Sequence, residues 1–175
     1  SFKFLYYKNV KSTNDIAIRE IKKNCHSGVI VADKQSKGRG RYGNKWISYK
    51  GNIFISIYFR IKKKISINKL NKLNSVLIKK ALSEIIKKKI TIKPPNDLLI
   101  NKKKFAGILQ ETLVKNNIKY IIIGIGINLI KNPIIKNYPT TNLLKETKMR
   151  ISKKKLIKAV FKQFEKNQKK FALHA

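Results

Sequence analysis

The sequence predicts an α+β fold: one largely antiparallel, mixed sheet with its helices packed against it. Three observations carry this. Strand-like segments in the second half follow one another through short polar turns, as hairpins do, instead of alternating regularly with helices. Two stretches place apolar residues three and four apart, the stripe of an amphipathic helix. No repeat or low-complexity linker divides the 175 residues, so residues 1–175 are expected to form a single domain around one core.

In chain order, Phe2-Lys3-Phe4-Leu5-Tyr6-Tyr7 is rich in strand formers, and Ser12-Thr13-Asn14-Asp15 supplies helix N-caps. Ile16, Ala17, Glu20 and Ile21 follow at helical spacing. Gly28 is expected to end that helix, and Val29-Ile30-Val31-Ala32 to return as a buried strand. Asn52 to Arg60 alternates, with Ile53, Ile55, Ile57 and Phe59 on one face. Leu70, Leu73, Leu77, Ala81 and Ile85 mark a long helix from about Asn68 to Lys88. Three strands are predicted next, at Ile90–Lys93, Leu98–Ile100 and Phe105–Val114, with a turn at Asn101-Lys102-Lys103. Lys115-Asn116-Asn117 turns the chain into a further strand, Tyr120 to Leu129. After a proline-bearing loop, Ser152 can cap a last helix carrying Leu156, Val160, Phe161 and Phe164.

Composition excludes several classes. Hydrophobic content of 42%, with eight Phe and seven Tyr, is that of a folded protein. The longest apolar run, Tyr120 to Leu129, is broken by glycines and too short to span a bilayer, and no signal-peptide pattern opens the chain. No membrane association is expected. Cys25 is the only cysteine, so no internal disulfide exists and a cytoplasmic location is expected. Its place beside His26, near a helix end and far from His174, favours a structural role. Forty-two Lys and Arg against eight Asp and Glu give a net charge of +34, which suggests a polyanionic partner. The lysines are scattered, however, and Lys, Ile and Asn share AT-rich codons, so genome bias explains the composition without a nucleic acid.

The chemistry-bearing stretch is Gly38-Arg39-Gly40-Arg41-Tyr42-Gly43-Asn44-Lys45-Trp46. Glycines in such a turn bring main-chain N–H groups close to a ligand, and successive N–H groups form an anion-binding concavity. Arg39 and Arg41 add fork-shaped donors for carboxylate or phosphate. The stretch lacks both the Lys-Ser/Thr ending of a P-loop and the setting of a dinucleotide loop. Three more polar constellations fall at predicted element ends: Ser12-Thr13-Asn14; Lys93-Pro94-Pro95-Asn96-Asp97 with Lys104-Phe105-Ala106-Gly107; and Gly124-Ile125-Gly126-Ile127-Asn128. Each also has a purely structural reading, as a helix cap, a proline turn, a solvated loop or strand glycines under close packing. For Trp46, a pocket wall and a core position both stand.

Taken together, Ser-Thr-Asn, Gln-x-x-Gly-Arg-Gly-Arg-x-Gly-x-x-Trp, Lys-x-Pro-Asn-Asp, Lys-x-Ala-Gly-Ile-Leu and Gly-x-Gly-Ile-Asn resemble the catalytic domain of biotin–protein ligases. Order and spacing agree from about Phe4 to Phe171, including Thr141-Asn142-Leu143-Leu144. The resemblance implies the fold shared by biotin and lipoate ligases and the catalytic domains of class II aminoacyl-tRNA synthetases. It implies that ATP activates biotin as biotinyl-5'-adenylate, which is passed to a lysine of a biotin carboxyl carrier domain such as that of acetyl-CoA carboxylase. By the same resemblance Lys104, Arg39 and Arg41 act on the reacting anions. Ser12, Thr13, Asn14, Gln35, Gly38, Arg39, Gly40, Arg41, Lys104 and Gly107 bind biotin. Arg39, Arg41, Asn96, Lys104 and Asn128 bind ATP. Magnesium is expected mainly on the phosphates, with no metal ligands from the chain. Asp97 orients Lys104 or the acceptor lysine, or only makes a turn.

Pro94 departs from the family pattern by standing where Trp is usual. No winged helix is expected before Phe2, hence no DNA partner, and the family's small C-terminal β-domain is expected to be absent or truncated after Ala175. A monomer or weak homodimer is expected. The rival readings are a lipoate–protein ligase and a basic nucleic-acid-binding domain.

Overall fold

The structure, a computed structural model, describes residues 2–170, so Phe171, where the resemblance ends, and His174 lie outside the described residues. Seven strands, β1 (Lys3–Val10), β2 (Ser27–Gln35), β3 (Ile53–Ile61), β4 (Thr91–Lys93), β5 (Asp97–Ile100), β6 (Lys103–Lys115) and β7 (Ile118–Ile127), form one sheet. Their order is β1-β2-β3-β7-β6-β5-β4. β1 runs parallel to β2, and all other neighbours are antiparallel. The helices are α1 (Thr13–Lys22), α2 (Ile67–Ser83), the short α3 (Leu143–Thr147) and α4 (Lys153–Asn167). No helix among the described residues is long and apolar enough to cross a membrane.

The period of two along the central strands divides the molecule. Ile53, Ile55, Ile57, Phe59 and Ile61 of β3 and Ile121, Ile123, Ile125 and Ile127 of β7 face one side. There they meet Leu70, Leu77, Ile78, Ala81 and Leu82 of α2 and Leu156, Val160 and Phe164 of α4. On the other side Tyr58, Tyr120 and Ile122 pack under Ala17 and Ile21 of α1. α1 covers only part of that face. Beyond it β7 carries Gly124 and Gly126. Burying an Ile side chain stabilises by roughly 1.5–3 kcal/mol, against roughly 0.5–1 kcal/mol for a glycine inside a strand. The isoleucines behind β7 therefore hold it in place, and the glycines in front leave an open floor.

The predicted turns are present. Asn101 and Lys102 (φ 49° and 61°) and Asn116 and Asn117 (49° and 58°) take the left-handed pairs that tight hairpins need. Ser152 caps α4 through Lys155 N–H at 3.3 Å. Several boundaries differ from expectation, most by one or two residues. The first strand runs on to Val10. α1 ends at Lys22, not Gly28: Asn24 takes the left-handed turn at φ 67°, and the Lys115 ammonium caps the carbonyls of Ile21 (3.3 Å) and Lys22 (2.6 Å). Gly28 lies inside β2, where a Cβ would stand 2.6 Å from the Tyr58 hydroxyl. α2 stops at Ser83, where the chain tightens into a turn with Ile85 N–H on Leu82 C=O at 3.1 Å, and Ile86 and Ile90 still reach the core. α3, capped by Asn142 through Lys145 N–H at 2.9 Å, is too short for a periodic pattern to reveal.

Candidate functional site

The uncovered half of the sheet is the floor of a cleft of about 630 Å³, within the roughly 300–1,000 Å³ usual for small-molecule sites. Register builds this floor by pairing Gly107 of β6 with Gly126 of β7, and Ser56 of β3 with Gly124. The Trp46 indole lies against the glycine pair: a Cβ would meet it at 2.4 Å from Gly126 and at 2.8 Å from Gly107. Trp46 is thus a half-buried pocket wall, and its indole N–H is buried without a partner among the described residues.

The wall stands on a small hairpin between β2 and β3. Trp46 N–H donates to Gly38 C=O at 2.9 Å, and Gly40 N–H to Asn44 C=O at 2.7 Å. Tyr42 (φ 55°) and Gly43 (φ 75°) turn the tip. Gly38 does not line the cleft. It packs behind the hairpin, where a Cβ would fall 2.7 Å from the Trp46 carbonyl oxygen. Gly40 lines the cleft and has room for a Cβ.

At one end the N-terminus of α1 supplies Ser12, Thr13 and Asn14, each only 3% exposed. Ser12 occupies the N-cap position, yet its side chain makes no cap bond. All three side chains turn instead toward the cleft. Ser12 Oγ accepts from Arg39 Nη1 at 3.3 Å, and Thr13 Oγ1 donates to Gln35 Oε1 at 3.2 Å. The Gln35 amide group in turn donates to Ser48 Oγ at 3.2 Å. Ser56, fully buried, points its hydroxyl at Thr13 Oγ1 (2.7 Å) and Asn14 Oδ1, and its single proton can serve one of them at a time. Asn14 Nδ2 donates to Glu111 Oε2 at 2.6 Å. Ser56 and Glu111 carry no motif and escape the sequence reading. Their signal is a polar side chain among apolar neighbours on a covered strand face.

The two arginines of the hairpin differ. Arg39 is held by Glu111 (2.9 Å) and Asp15 (2.7 Å). Desolvation, the largest single effect, lowers its pKa, but the bonds to the two carboxylates outweigh it and leave the guanidinium above its ordinary value. Arg41 has no acidic partner among the described residues. It lies over the ring of the exposed Tyr42, 4.7 Å from the centroid, and donates to its hydroxyl at 2.7 Å.

At the other end, Lys104 on β6 pairs with Asp97 of β5 (Nζ–Oδ1 2.9 Å). The Asp97 carboxylate also accepts from the Tyr138 hydroxyl. Burial, reinforced by that bond, raises the Tyr138 pKa far above its ordinary value, so the phenol remains a donor. The Lys104 ammonium stands 5.4 Å from the Trp46 ring and 5.5 Å from that of Tyr138. Asn96 and Asn128 line this end, but each turns its amide group onto backbone, to Ile108 C=O (2.7 Å) and Thr141 C=O (3.2 Å). The buried Oδ1 of Asn128 has no partner among the described residues.

The cleft therefore gathers Ser12, Thr13, Asn14, Gln35, Arg39, Gly40, Arg41, Asn96, Lys104, Gly107 and Asn128, with only Gly38 set behind it. One end carries the neutral donors and acceptors together with Arg39, whose charge Glu111 and Asp15 balance, and the other carries Lys104. Such a site can hold a polar uncharged group and a carboxylate of one ligand while leaving room for a second anion.

The fold is that of the biotin protein ligases. The structure matches the biotin protein ligase of Aquifex aeolicus in complex with biotin and ATP at a TM-score of 0.81 and 30% identity, covering 96% of this chain and 71% of that one. The sequence profile of the biotin/lipoate A/B protein ligase family matches residues 6–128, and the chain belongs to that family. It is 32% identical to the bifunctional ligase/repressor BirA of Bacillus subtilis over 97% of its own length and 55% of the relative's. It is 30% identical to the biotin–[acetyl-CoA-carboxylase] ligase of Paracoccus denitrificans over 70% of its own length and 52% of the relative's. The chain thus spans about half the length of the curated relatives it matches. A lipoate protein ligase of Thermoplasma acidophilum shares the fold alone, at 9% identity and a TM-score of 0.61.

Proposed function

We propose that the chain is an ATP-dependent biotin–protein ligase that makes biotinyl-5'-adenylate and passes the biotinyl group to a lysine of a biotin carboxyl carrier domain. The observation that carries this is the convergence of all five motifs on one cleft, with uncharged donors and acceptors suited to a ureido ring at the α1 end and Lys104 for a carboxylate at the other. Relatives at 30–32% identity are named biotin ligases or a ligase/repressor, and one such ligase is solved with biotin and ATP.

In this reading Ser12, Thr13, Asn14 and Gln35 take the ureido ring, the buried Ser56 holds Thr13 and Asn14 from behind, and Trp46 lies against the ring system with the glycine floor beneath. The biotin carboxylate oxygen attacks the α-phosphorus of ATP. The bond from that phosphorus to the pyrophosphate oxygen breaks, leaving a mixed anhydride. Lys104 stands between the two anions and offsets their repulsion as charge builds. Arg41, without an acidic partner among the described residues, closes over the phosphate. Arg39, already neutralised by Glu111 and Asp15, acts chiefly by holding Ser12 and the hairpin in place. The acceptor lysine, as a free amine, then attacks the acyl carbon and AMP leaves.

The carboxylates at the cleft are engaged, Asp97 by Lys104 and Tyr138, and Glu111 by Arg39 and Asn14. No group of three His, Cys, Asp or Glu side chains fit to hold a metal comes together among the described residues. These residues do not fit a metal held by the chain, so magnesium enters with the substrate, on the phosphates of ATP.

Pyrophosphate release from ATP tests the reading. Without a carrier domain, biotin should elicit a burst approaching one pyrophosphate per chain. With the carrier, turnover should follow, and lipoate should support neither. Release that is independent of biotin, or greater with lipoate, would refute it.

A further inference from the structure

We propose that Tyr138 is a positioning residue: its hydroxyl holds the Asp97 carboxylate and, through it, sets where the Lys104 ammonium stands in the cleft. The inference rests on the ligase reading above and assigns a role to a residue outside the five motifs.

The Asp97 carboxylate divides its oxygens. Oδ1 pairs with Lys104 Nζ at 2.9 Å, and Oδ2 accepts from the Tyr138 hydroxyl. Both ends of the ion pair are largely removed from solvent, with side-chain exposures of 20% for Lys104 and 15% for Asp97. The Tyr138 ring carries two ammonium groups, Lys93 at 4.3 Å and Lys104 at 5.5 Å from its centroid. Its chain neighbours clamp the same lysine from the backbone side. Lys104 N–H donates to Pro139 C=O at 2.9 Å, and Thr141 N–H donates to Lys104 C=O at 2.8 Å. The segment between β7 and α3 therefore grips Lys104 at its peptide, its charge and the partner of that charge.

The Asp97 side chain needs this restraint. A carboxylate with one free oxygen can rotate to take the ammonium with both, drawing the charge out of the space where two substrate anions must meet. With Oδ2 occupied, one oxygen is left for Lys104, and the ammonium keeps donors for the ligands. A cation preorganised in this way stabilises developing charge without having to move during the reaction.

Tyr138→Phe removes the hydroxyl and keeps the ring. The maximal rate of biotin-dependent pyrophosphate release should fall about tenfold, short of the 10²–10³ expected on losing a direct donor. The KM for biotin should stay within about twofold, since the ring and the ureido end are untouched. In a cycle with Asp97→Asn, the double variant should be no slower than Asp97→Asn alone. A wild-type rate in Tyr138→Phe, or fully additive losses in the cycle, would overturn the inference. A second measurement needs no activity. In protein with 13C-methylated lysines, the Lys104 signal, identified by its loss in Lys104→Arg, should move in Tyr138→Phe, and an unmoved signal overturns the inference. Wild-type protein that releases no pyrophosphate with biotin would overturn the ligase reading instead.

Discussion

Gly126→Ala places a methyl group where the Trp46 indole lies. The new Cβ would stand 2.4 Å from Cε2 and 2.6 Å from Nε1, against an ordinary contact of about 3.5 Å. Something must yield by about 1 Å. The strand cannot, since Gly126 is paired with Phe54 on one side and Gly107 on the other, and Ile125 and Ile127 beside it anchor in the core. The indole can, because it sits half-buried on a hairpin. Overpacking a closed core costs about 1–3 kcal/mol, and relief through a movable wall should bring this below about 1 kcal/mol. For a chain of this length the melting temperature should then fall by no more than about 4 °C. Ligand binding bears the loss. A wall displaced by about 1 Å should raise the Kd for biotin by about 10- to 100-fold, or about 1.4–2.7 kcal/mol. Titration calorimetry with biotin and scanning calorimetry on the same preparation measure both quantities. A Kd within twofold of the parent would show that Trp46 is no part of the biotin site. A fall of more than about 10 °C would show that the sheet, not the hairpin, took the strain.

Lys104→Ala should slow pyrophosphate release by about 10²–10³ with an unchanged far-UV spectrum, and a near-normal rate would remove it from the mechanism. Glu111→Gln keeps the shape of the contact with Arg39 and removes its charge. With both side chains 31% exposed, and after allowance for solvent screening, the pair contributes on the order of 1 kcal/mol, so the melting temperature should drop by about 2–4 °C. A rise would mean that the ion pair opposes folding. Glu146 is held below the usual carboxylate range first by the Thr141 hydroxyl, against partial burial, and then by the Asn101 amide. A depressed folded-state pKa stabilises above the unfolded value, and that stabilisation is lost as pH falls through the folded one. Glu146→Gln should therefore lose less melting temperature than the parent between about pH 6 and pH 3, and an equal loss would count against the contact. Transfer to an acidic carrier domain should slow with salt, since screening lengths are about 8 Å at physiological ionic strength, while adenylate formation without carrier changes less. Equal salt dependence would exclude electrostatic steering.

The elements that a local pattern specifies were legible in the sequence. The alternation from Ile53 to Phe59 gives β3, and the Asn-rich turns appear where the left-handed residues Asn101 and Asn116 fall. The parallel placement of β1 was not legible, because strand direction depends on where α1 packs and no residue of β1 encodes it. The motifs marked most of the cleft lining. Ser56 was hidden because its role arises from register opposite Gly124 and from α1 crossing above it. Glu111 and Tyr138 were hidden for the same reason, as each meets partners far away in sequence. Asn96 and Asn128 show the converse: the motifs named them, but their amide groups turn onto backbone, that of β6 for Asn96 and that of the segment before α3 for Asn128.

The two-sided division of β7 bears on how such a protein can change over generations. Along Ile121 to Ile127 the odd positions point into the core and Gly124 and Gly126 into the cleft. A saturation library from Ile123 to Ile127 should therefore record two different injuries in alternation, whereas Ile122, under α1, belongs with the core positions. Replacements at Ile121, Ile123, Ile125 and Ile127 should leave little intact protein in the cell, whereas those at Gly124 and Gly126 should leave abundant protein that has lost or exchanged its ligand. Selection for a different acid can work on the glycine positions while the isoleucine positions keep the scaffold, so a change of substrate need not pass through an unfolded ancestor.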